Sequence, residues 1–198
     1  MYLSQLRLDC INRHTMRTLS DVYRLHQFIM SGFYEYEHPG RVLFRVEPEP
    51  KDRFIIVLVQ SFKEPHWVKT ASLLAWQTKK ISFQIQKRSN FHFRLRANPV
   101  VTRNGKRLGL IRDDALVDWL RKKEEQIGVW FCSVLAVDEG YTNGIKNNGR
   151  YPKHIKIKTA RFEGCMEIIE PERFHNALVN GIGPAKAFGC GLLSLART

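Results

Sequence analysis

"PERFHNALVNGIGPAKAFGCGLLSLA" (Pro171–Ala196) carries a helix, a glycine-rich loop and a strand in one run. "PERFHNALVNG" reads as the helix, with Pro171 in its first turn and Gly181 just past its end, the termini where each residue serves best. "GLLSLA" reads as the strand. Gly181, Gly183, Gly189 and Gly191 crowd the junction, with Lys186 among them. A dinucleotide fingerprint needs G-x-G-x-x-G after a strand and opening a helix. Here Lys186 takes the third glycine's place and the loop follows a helix. The phosphate loop G-x-x-x-x-G-K-[ST] is absent too. The loop leaves a helix C-terminus, so no positive dipole end faces a ligand from Gly181. The glycines therefore permit unusual backbone angles and close approach. Two uses fit: a tight helix-to-strand connection, or contact with nucleic acid.

Working back from that run, "FHFRLRANPVV" (Phe91–Val101) is a strand. "DDALVDWLRKKEEQIG" is a helix that Asp113 or Asp114 caps, that faces Leu116, Trp119, Leu120 and Ile127 inward, and that Gly128 closes. "VWFCSVLAV" and "HIKIKTARFEGCMEII" are extended. The order is β-α-β-β-α-β, the ferredoxin-like unit. The first half repeats it. "YLSQLRLD" (Tyr2–Asp9) alternates as a strand. A helix begins near Ser20 and Asp21, good N-terminal residues, with Val22, Leu25, Phe28 and Ile29 as its apolar stripe. "RVLFRVEP" (Arg41–Pro48) and "RFIIVLVQS" (Arg53–Ser61) form a hairpin. "HWVKTASLLAWQ" reads as a second helix and "KISFQIQK" (Lys80–Lys87) as a fourth strand. The predicted fold is α+β: two tandem ferredoxin-like (RRM-like) units, residues 1–88 and 91–198, with the seam near Lys87–Asn90. One continuous mixed sheet is the alternative arrangement.

Charge narrows the function. Lys and Arg number 32 against 19 acids, a net charge of +13, and the pI is near 9.9. Such a field attracts polyanions: RNA, DNA or anionic lipid. No run of about eighteen apolar residues exists, so a membrane span is not expected. "MYLSQLRLDC" alternates and carries Arg7 and Asp9, unlike a signal peptide. Cys10, Cys132, Cys165 and Cys190 are spread without a C-x-x-C pair, as expected of free thiols in a cytoplasmic protein rather than a local zinc site.

"GIGPAKAFGCGLLSL", closing a basic chain of two ferredoxin-like units, resembles the terminal motif of CRISPR-associated repeat-processing endoribonucleases. The resemblance is closest to the CasE type, the processing subunit of the Cascade surveillance complex. "FRLRANPV" (Phe93–Val100), "WVKT" (Trp67–Thr70), "FEGCMEIIEPE" (Phe162–Glu172) and "YRLH" (Tyr23–His26) support it, so it covers nearly the whole chain. It implies cleavage of RNA with no metal and no cofactor. The 2′-hydroxyl beside the scissile phosphate attacks, and the 5′-oxygen of the next nucleotide leaves. It also implies repeat RNA, precursor and mature, and other Cascade subunits as partners.

That reaction needs a base, an acid and a donor to the phosphorane charge. Family members carry a catalytic Tyr and His in the first helix, and the carry-over falls on Tyr23 and His26. Their spacing of three puts both on one helix face. Taken alone, that spacing more often describes a packing contact on a helix surface. Which of the two is base and which acid is left open by the sequence. Relatives tend to place a basic side chain just after the histidine, where this chain has Gln27, with Ser31 a turn further on. Arg24, Arg13, Arg17 and Lys186 are the substitutes considered for the phosphorane donor. His14, His38, His66, His92, His154 and His175 form no H-E-x-x-H or close metal pair. Asp113, Asp114 and Asp118 could suggest a magnesium nuclease, but Asp113 and Asp114 sit where a helix start favours acids.

The RNA surface is expected where acids are missing. Gly140 to Phe162 contains none, yet holds Lys146, Arg150, Lys153, Lys156, Lys158 and Arg161. Asn143-Gly144 and Asn148-Gly149 mark projecting turns. "HIKIK" places His154, Lys156 and Lys158 on one face, and "FHFRLR" does the same for His92, Arg94 and Arg96. First and third strands neighbour each other in this fold, so the two faces make one positive surface if they point the same way. Cations there, rather than the aromatics of single-strand readers, favour a folded RNA hairpin. Gly181, Gly183, Lys186, Gly189 and Gly191 complete the candidate contacts. The expected activity is cleavage of precursor RNA at the 3′ base of the repeat stem, with the product retained in Cascade. A non-cleaving RNA-binding subunit of similar fold, or a metal-dependent nuclease, is the alternative.

Overall fold

A computed structural model describes residues 1–198 apart from Lys51, Ala71, Gly149, Arg150 and Thr198. Two compact units make up the chain: residues 1–82 with 142–156 and 187–189, and residues 83–141 with 157–186 and 190–198. The expected boundaries are contiguous in sequence, whereas the first unit also takes in residues 142–156 and 187–189 from the later part of the chain.

In the first unit, β1 (Tyr2–Asp9) runs between β3 (Phe54–Ser61) and β4 (Leu73–Lys80), and β2 (Val42–Val46) lies outside β3. All neighbours are antiparallel, with Leu6 opposite Val57 on one side and Trp76 on the other. The order β2-β3-β1-β4 is the ferredoxin-like one, so the fold expectation is met. Alternation along β1 buries Ser4, Leu6 and Leu8 because every second side chain faces the helices. There Leu6 and Leu8 meet Leu25, Ile29 and Phe33. Two helices follow β1: α1 (Arg13–Leu19) and α2 (Val22–Ser31). The sequence reading missed α1, although Asn12 is a capping residue and accepts from the N–H groups of His14 and Thr15.

The second helix expected in this unit, over "HWVKTASLLAWQ", is not formed. Leu73–Lys80 is strand β4 instead, and "KISFQIQK" is irregular past Lys80. The free edge of β1 supplies the hydrogen bonds that decide it, and tertiary pairing overrides local propensity. Trp67 then fills the core directly: it stacks edge-on to Phe33 at 5.8 Å and donates Nε1–H to Ser4 Oγ at 3.2 Å.

The second unit is built from β5 (Asn90–Ala97), β8 (Val129–Asn148), β9 (Tyr151–Ile168) and β10 (Leu193–Arg197), in the order β10-β5-β9-β8. A small hairpin, β6 (Val100–Arg103) and β7 (Lys106–Gly109), follows β5. It turns on Asn104 and Gly105, both at positive φ, the pair a two-residue hairpin favours. One helical run was expected before β8. It is two: α3 (Asp113–Arg121) and α4 (Glu124–Ile127), closed by Gly128 at φ +79. Neither Asp113 nor Asp114 is the cap. Arg112 holds that position without a side-chain capping bond, its guanidinium pairing instead with Asp114, and the two acids sit in the first turn, where the helix dipole favours them. Helix α5 (Pro171–Asn180) has Pro171 in its first turn and Gly181 at its end, as expected. Leu116, Trp119, Leu120 and Ile127 all enter a core with Phe93, Leu95, Phe131, Phe162 and Phe174.

Gly181, Gly183, Gly189 and Gly191 all have positive φ. At Gly191 the requirement is also steric. A Cβ there would lie 3.0 Å from the Ile182 carbonyl oxygen, while the Gly191 N–H donates to Arg96 O at 2.7 Å and its own carbonyl accepts from Ile182 N. Lys186–Phe188 makes a single 3-10 turn between the glycine pairs.

Candidate active site

Helix α2 begins at Asp21, whose Oδ1 accepts from Tyr23 N at 2.8 Å and Arg24 N at 3.1 Å. Capping of this kind fixes where the first turn starts and hence which way its side chains face. Val22, Leu25 and Ile29 are buried in the core. Tyr23 and His26 are half-buried beside that stripe, with ring centroids 6.4 Å apart. The pair is therefore neither core nor fully solvated.

Two other segments of the same unit meet the pair. Phe188, from the glycine loop, packs edge-on to His26 at 6.1 Å. Lys146, from β8, holds its Nζ 5.8 Å from the Tyr23 ring centroid. Burial pushes the His26 imidazole below its ordinary value. A hydrogen bond to the Ala187 backbone pulls it back up, and the Lys146 charge lowers it again. A neutral imidazole, a phenol and an ammonium thus share one site, a set able to accept a proton, donate a hydrogen bond and stabilise an anion.

The sequence points to Lys146 only as an RNA contact, by its place in an acid-free stretch. Of the cations considered for the phosphorane charge, Arg13 is exposed on α1, and Arg17 and Arg24 line a cleft of about 400 Å³ with Asp21, Asn143 and Gly144. Lys186 belongs to the second unit. The missed signal was Asn143-Gly144. It is not a projecting turn but part of β8, with Gly144 buried against the start of α2.

The expected single positive face is not formed. In the β5–β9 register Arg94 stands opposite Glu163 and Arg96 opposite Arg161, so odd-numbered β9 residues share the face of Arg94 and Arg96. Lys158 faces the other way. It is 3% exposed and its Nζ bonds both Asp138 oxygens, at 2.5 and 2.6 Å. Arg94 pairs with Glu163 at 2.7 Å and Arg96 with Glu139 at 2.5 Å. These carboxylates come from β8 and β9, which alternation within one strand cannot reveal. Lys153 and Lys156 are exposed on β9 in the first unit. Gly149, in the second Asn-Gly pair, and Arg150, a candidate RNA contact, lie outside the described residues. Among the described residues no three His, Cys, Asp or Glu side chains gather as a metal site, and no helix is long and apolar enough to cross a membrane.

Over 218 aligned positions the chain is 29% identical to the CRISPR-associated endoribonuclease Cse3 of Thermus thermophilus, covering 99% of this chain and 100% of that protein. It is 35% identical over 191 positions to the CRISPR system Cascade subunit CasE of Escherichia coli, covering 89% and 92%. The solved structure of Cse3 bound to a 19-nucleotide RNA superposes over the full length of both chains with a TM-score of 0.88 at 29% identity. A family model described as CRISPR associated protein matches residues 1–197, and the chain belongs to that family.

Proposed function

We propose that this protein is a metal-independent endoribonuclease that binds the stem-loop of CRISPR repeat RNA and cuts the precursor at the 3′ base of the stem. It keeps the mature crRNA and joins other subunits in a Cascade complex in the cytoplasm. The observation that carries the reading is the meeting of His26, Tyr23 and Lys146 on one helix end. Relatives along the whole chain named as an endoribonuclease and as a Cascade subunit support it.

Neutral His26 takes the proton of the attacking 2′-hydroxyl. The 2′-oxygen bonds to phosphorus while the bond to the 5′-oxygen breaks, leaving a 2′,3′-cyclic phosphate. Lys146 offsets the charge that builds on the phosphorane oxygens. The departing 5′-oxygen takes a proton from one of the two donors present, Tyr23 or Lys146. Each role falls on a side chain, so the chemistry requires no metal. We infer a division of labour in which residues 1–88 carry the catalytic helix and residues 91–198 much of the RNA contact. Lys146, Arg150, Lys153, Lys156 and the glycine-loop residues Gly181, Gly183, Lys186, Gly189 and Gly191 are the contacts proposed, while Arg94, Arg96 and Lys158, engaged by Glu163, Glu139 and Asp138, support that surface through their ion pairs.

The test is incubation with an RNA hairpin of the host array's repeat in excess chelator, beside a copy with a 2′-deoxy sugar at the cut site. Cleavage of the all-ribose RNA alone, with a cyclic phosphate end, is expected. Binding without cleavage would instead make the protein a non-cleaving subunit, and rescue by magnesium would make it a metal nuclease.

A further inference from the structure

We propose that Asp21 is a positioning residue for RNA cleavage: its carboxylate clasps the start of α2 to the β8 arm and so sets Lys146 against Tyr23 and His26. The inference rests on the active-site reading above and goes beyond it.

Three N–H groups converge on this one side chain. Oδ1 accepts from Tyr23 N and Arg24 N, which is the helix cap. Oδ2 accepts from Ile145 N at 3.2 Å, a residue 124 positions away in sequence. The contact is close as well as polar. A Cβ on Gly144 would lie 2.9 Å from Asp21 Oδ1, 2.9 Å from Val22 Cγ2 and 3.0 Å from Tyr23 N, closer than side-chain atoms normally approach. Only glycine lets the β8 backbone come so near the helix end. Gly144 is buried, Ile145 and Asn147 are exposed and Lys146 is half-buried. That alternation puts Gly144 and Lys146 on one side of an extended strand. Where Gly144 is pinned, Lys146 is fixed two residues on.

Residue choice points the same way. Ser, Asn and Asp cap helices about equally well, and each needs only one acceptor oxygen to do so. A carboxylate adds a second acceptor, and here that oxygen accepts from the β8 backbone, with the Arg24 guanidinium 3.9 Å away on the helix. Asn in its place would turn an N–H₂ toward Ile145 N–H, donor against donor. Ser would not reach it.

Asp21→Asn and Asp21→Ser therefore separate clasping from capping. Both are measured by thermal melting, by repeat-hairpin affinity, and by single-turnover cleavage at saturating RNA across a pH series. We expect melting temperature and affinity close to those of the native chain, and a cleavage rate lower by about 10- to 100-fold, the cost of about 1 Å of misplacement at a reacting centre. The pH profile supplies a readout that lost stability would not move. His26 is faced by Tyr23 on its own helix, by Lys146 from β8, and by the Ala187 backbone and Phe188 of the loop. Withdrawing Lys146 removes a charge that holds the imidazole neutral, so the limb of the profile belonging to His26 moves to higher pH. Gly144→Ala attacks the same clasp from the strand with Asp21 intact and should shift the limb the same way. Combined with Asp21→Asn it should cost little more than the worse single change, as expected of two changes to one contact.

An Asp21→Asn protein that cleaves at the native rate with an unmoved profile would overturn the clasp, as would slower cleavage explained by melting alone. His26→Ala keeps the two levels apart. If it abolishes cleavage while Asp21→Asn and Gly144→Ala are fully active, only the clasp fails. If it cleaves normally, the active-site reading itself fails.

Discussion

At the scale of single residues, the proposed chemistry turns on His26. Its imidazole lies below the ordinary 6.5 because burial disfavours the charged form and Lys146 adds positive charge nearby, against the hydrogen bond to the Ala187 backbone. A base with this bias is already neutral at physiological pH. Replacing it removes a group that acts in the transition state more than in binding. His26→Ala should lower the single-turnover rate by about 10²- to 10⁴-fold and leave hairpin affinity nearly unchanged. Lys146→Gln tests the electrostatic coupling. It removes one of the two influences that depress the imidazole, so cleavage should need a higher pH to reach its plateau, and the plateau itself should fall. A pH–rate series on both variants checks this, and a Lys146→Gln profile that keeps the native midpoint would show that the ammonium does not act on His26. Tyr23 and His26 were legible as candidates only through the family resemblance, since their spacing alone more often marks a packing contact. Lys146 was legible only as a cation in an acid-free stretch. Nothing local ties residue 146 to residue 23, because the link is a strand laid across a helix end.

At the scale of elements, what the sequence conveyed depended on where each hydrogen bond or charge found its partner. Helices α2, α3 and α5 bond within themselves, and their stripes and end residues could be read directly. Strand β4 forms because β1 offers an edge, and its own segment reads as helical. The basic strands show the same division. Alternation in "HIKIK" is real, yet Lys158 points into the second unit and meets Asp138, a carboxylate twenty residues earlier on β8. Burial alone would raise the Asp138 carboxyl, but the hydrogen bond and charge of Lys158, with the Gly140 N–H, hold it below its ordinary value. Breaking the pair leaves a half-buried charge uncompensated. Lys158→Met should therefore destabilise the fold by about 1 to 3 kcal/mol, below the full cost of losing one partner of a wholly buried pair because Asp138 stays partly in water. The sign with pH follows from the lowered carboxyl. The pair's contribution is full above the ordinary Asp value of 3.8 and is lost as pH falls through the lower folded value. The melting difference between native and Lys158→Met proteins should accordingly be constant near neutrality and shrink only in strong acid. A difference that vanished by pH 6 would contradict the pairing.

At the scale of the whole molecule, the net charge of +13 predicts that RNA association weakens as salt rises, and the proposed contacts differ in exposure. A lysine that contacts phosphate displaces condensed counterions, so affinity falls as salt rises, by a slope of about 0.7 to 0.9 per contact. A lysine already neutralised by a buried carboxylate has little such effect to give. Lys153 and Lys156 are exposed on the β9 arm of the first unit, while Lys158 is 3% exposed against Asp138. The sequence alone had grouped Lys156 with Lys158 as one face, and the ion pair divides them. Replacing Lys153 and Lys156 together with Gln should flatten the log-affinity against log-salt line by about 1.5, two contacts' worth. The loss should be alike for hairpins of native and shuffled stem sequence, because phosphates carry no sequence information. Lys158→Gln should leave the slope at its native value even where it lowers stability. Titrations at four or more salt concentrations, run below each variant's melting temperature, separate the two. An unchanged slope for the double variant would show that the β9 arm is merely solvated. A flattened slope for Lys158→Gln would show instead that RNA binding opens the Asp138 pair.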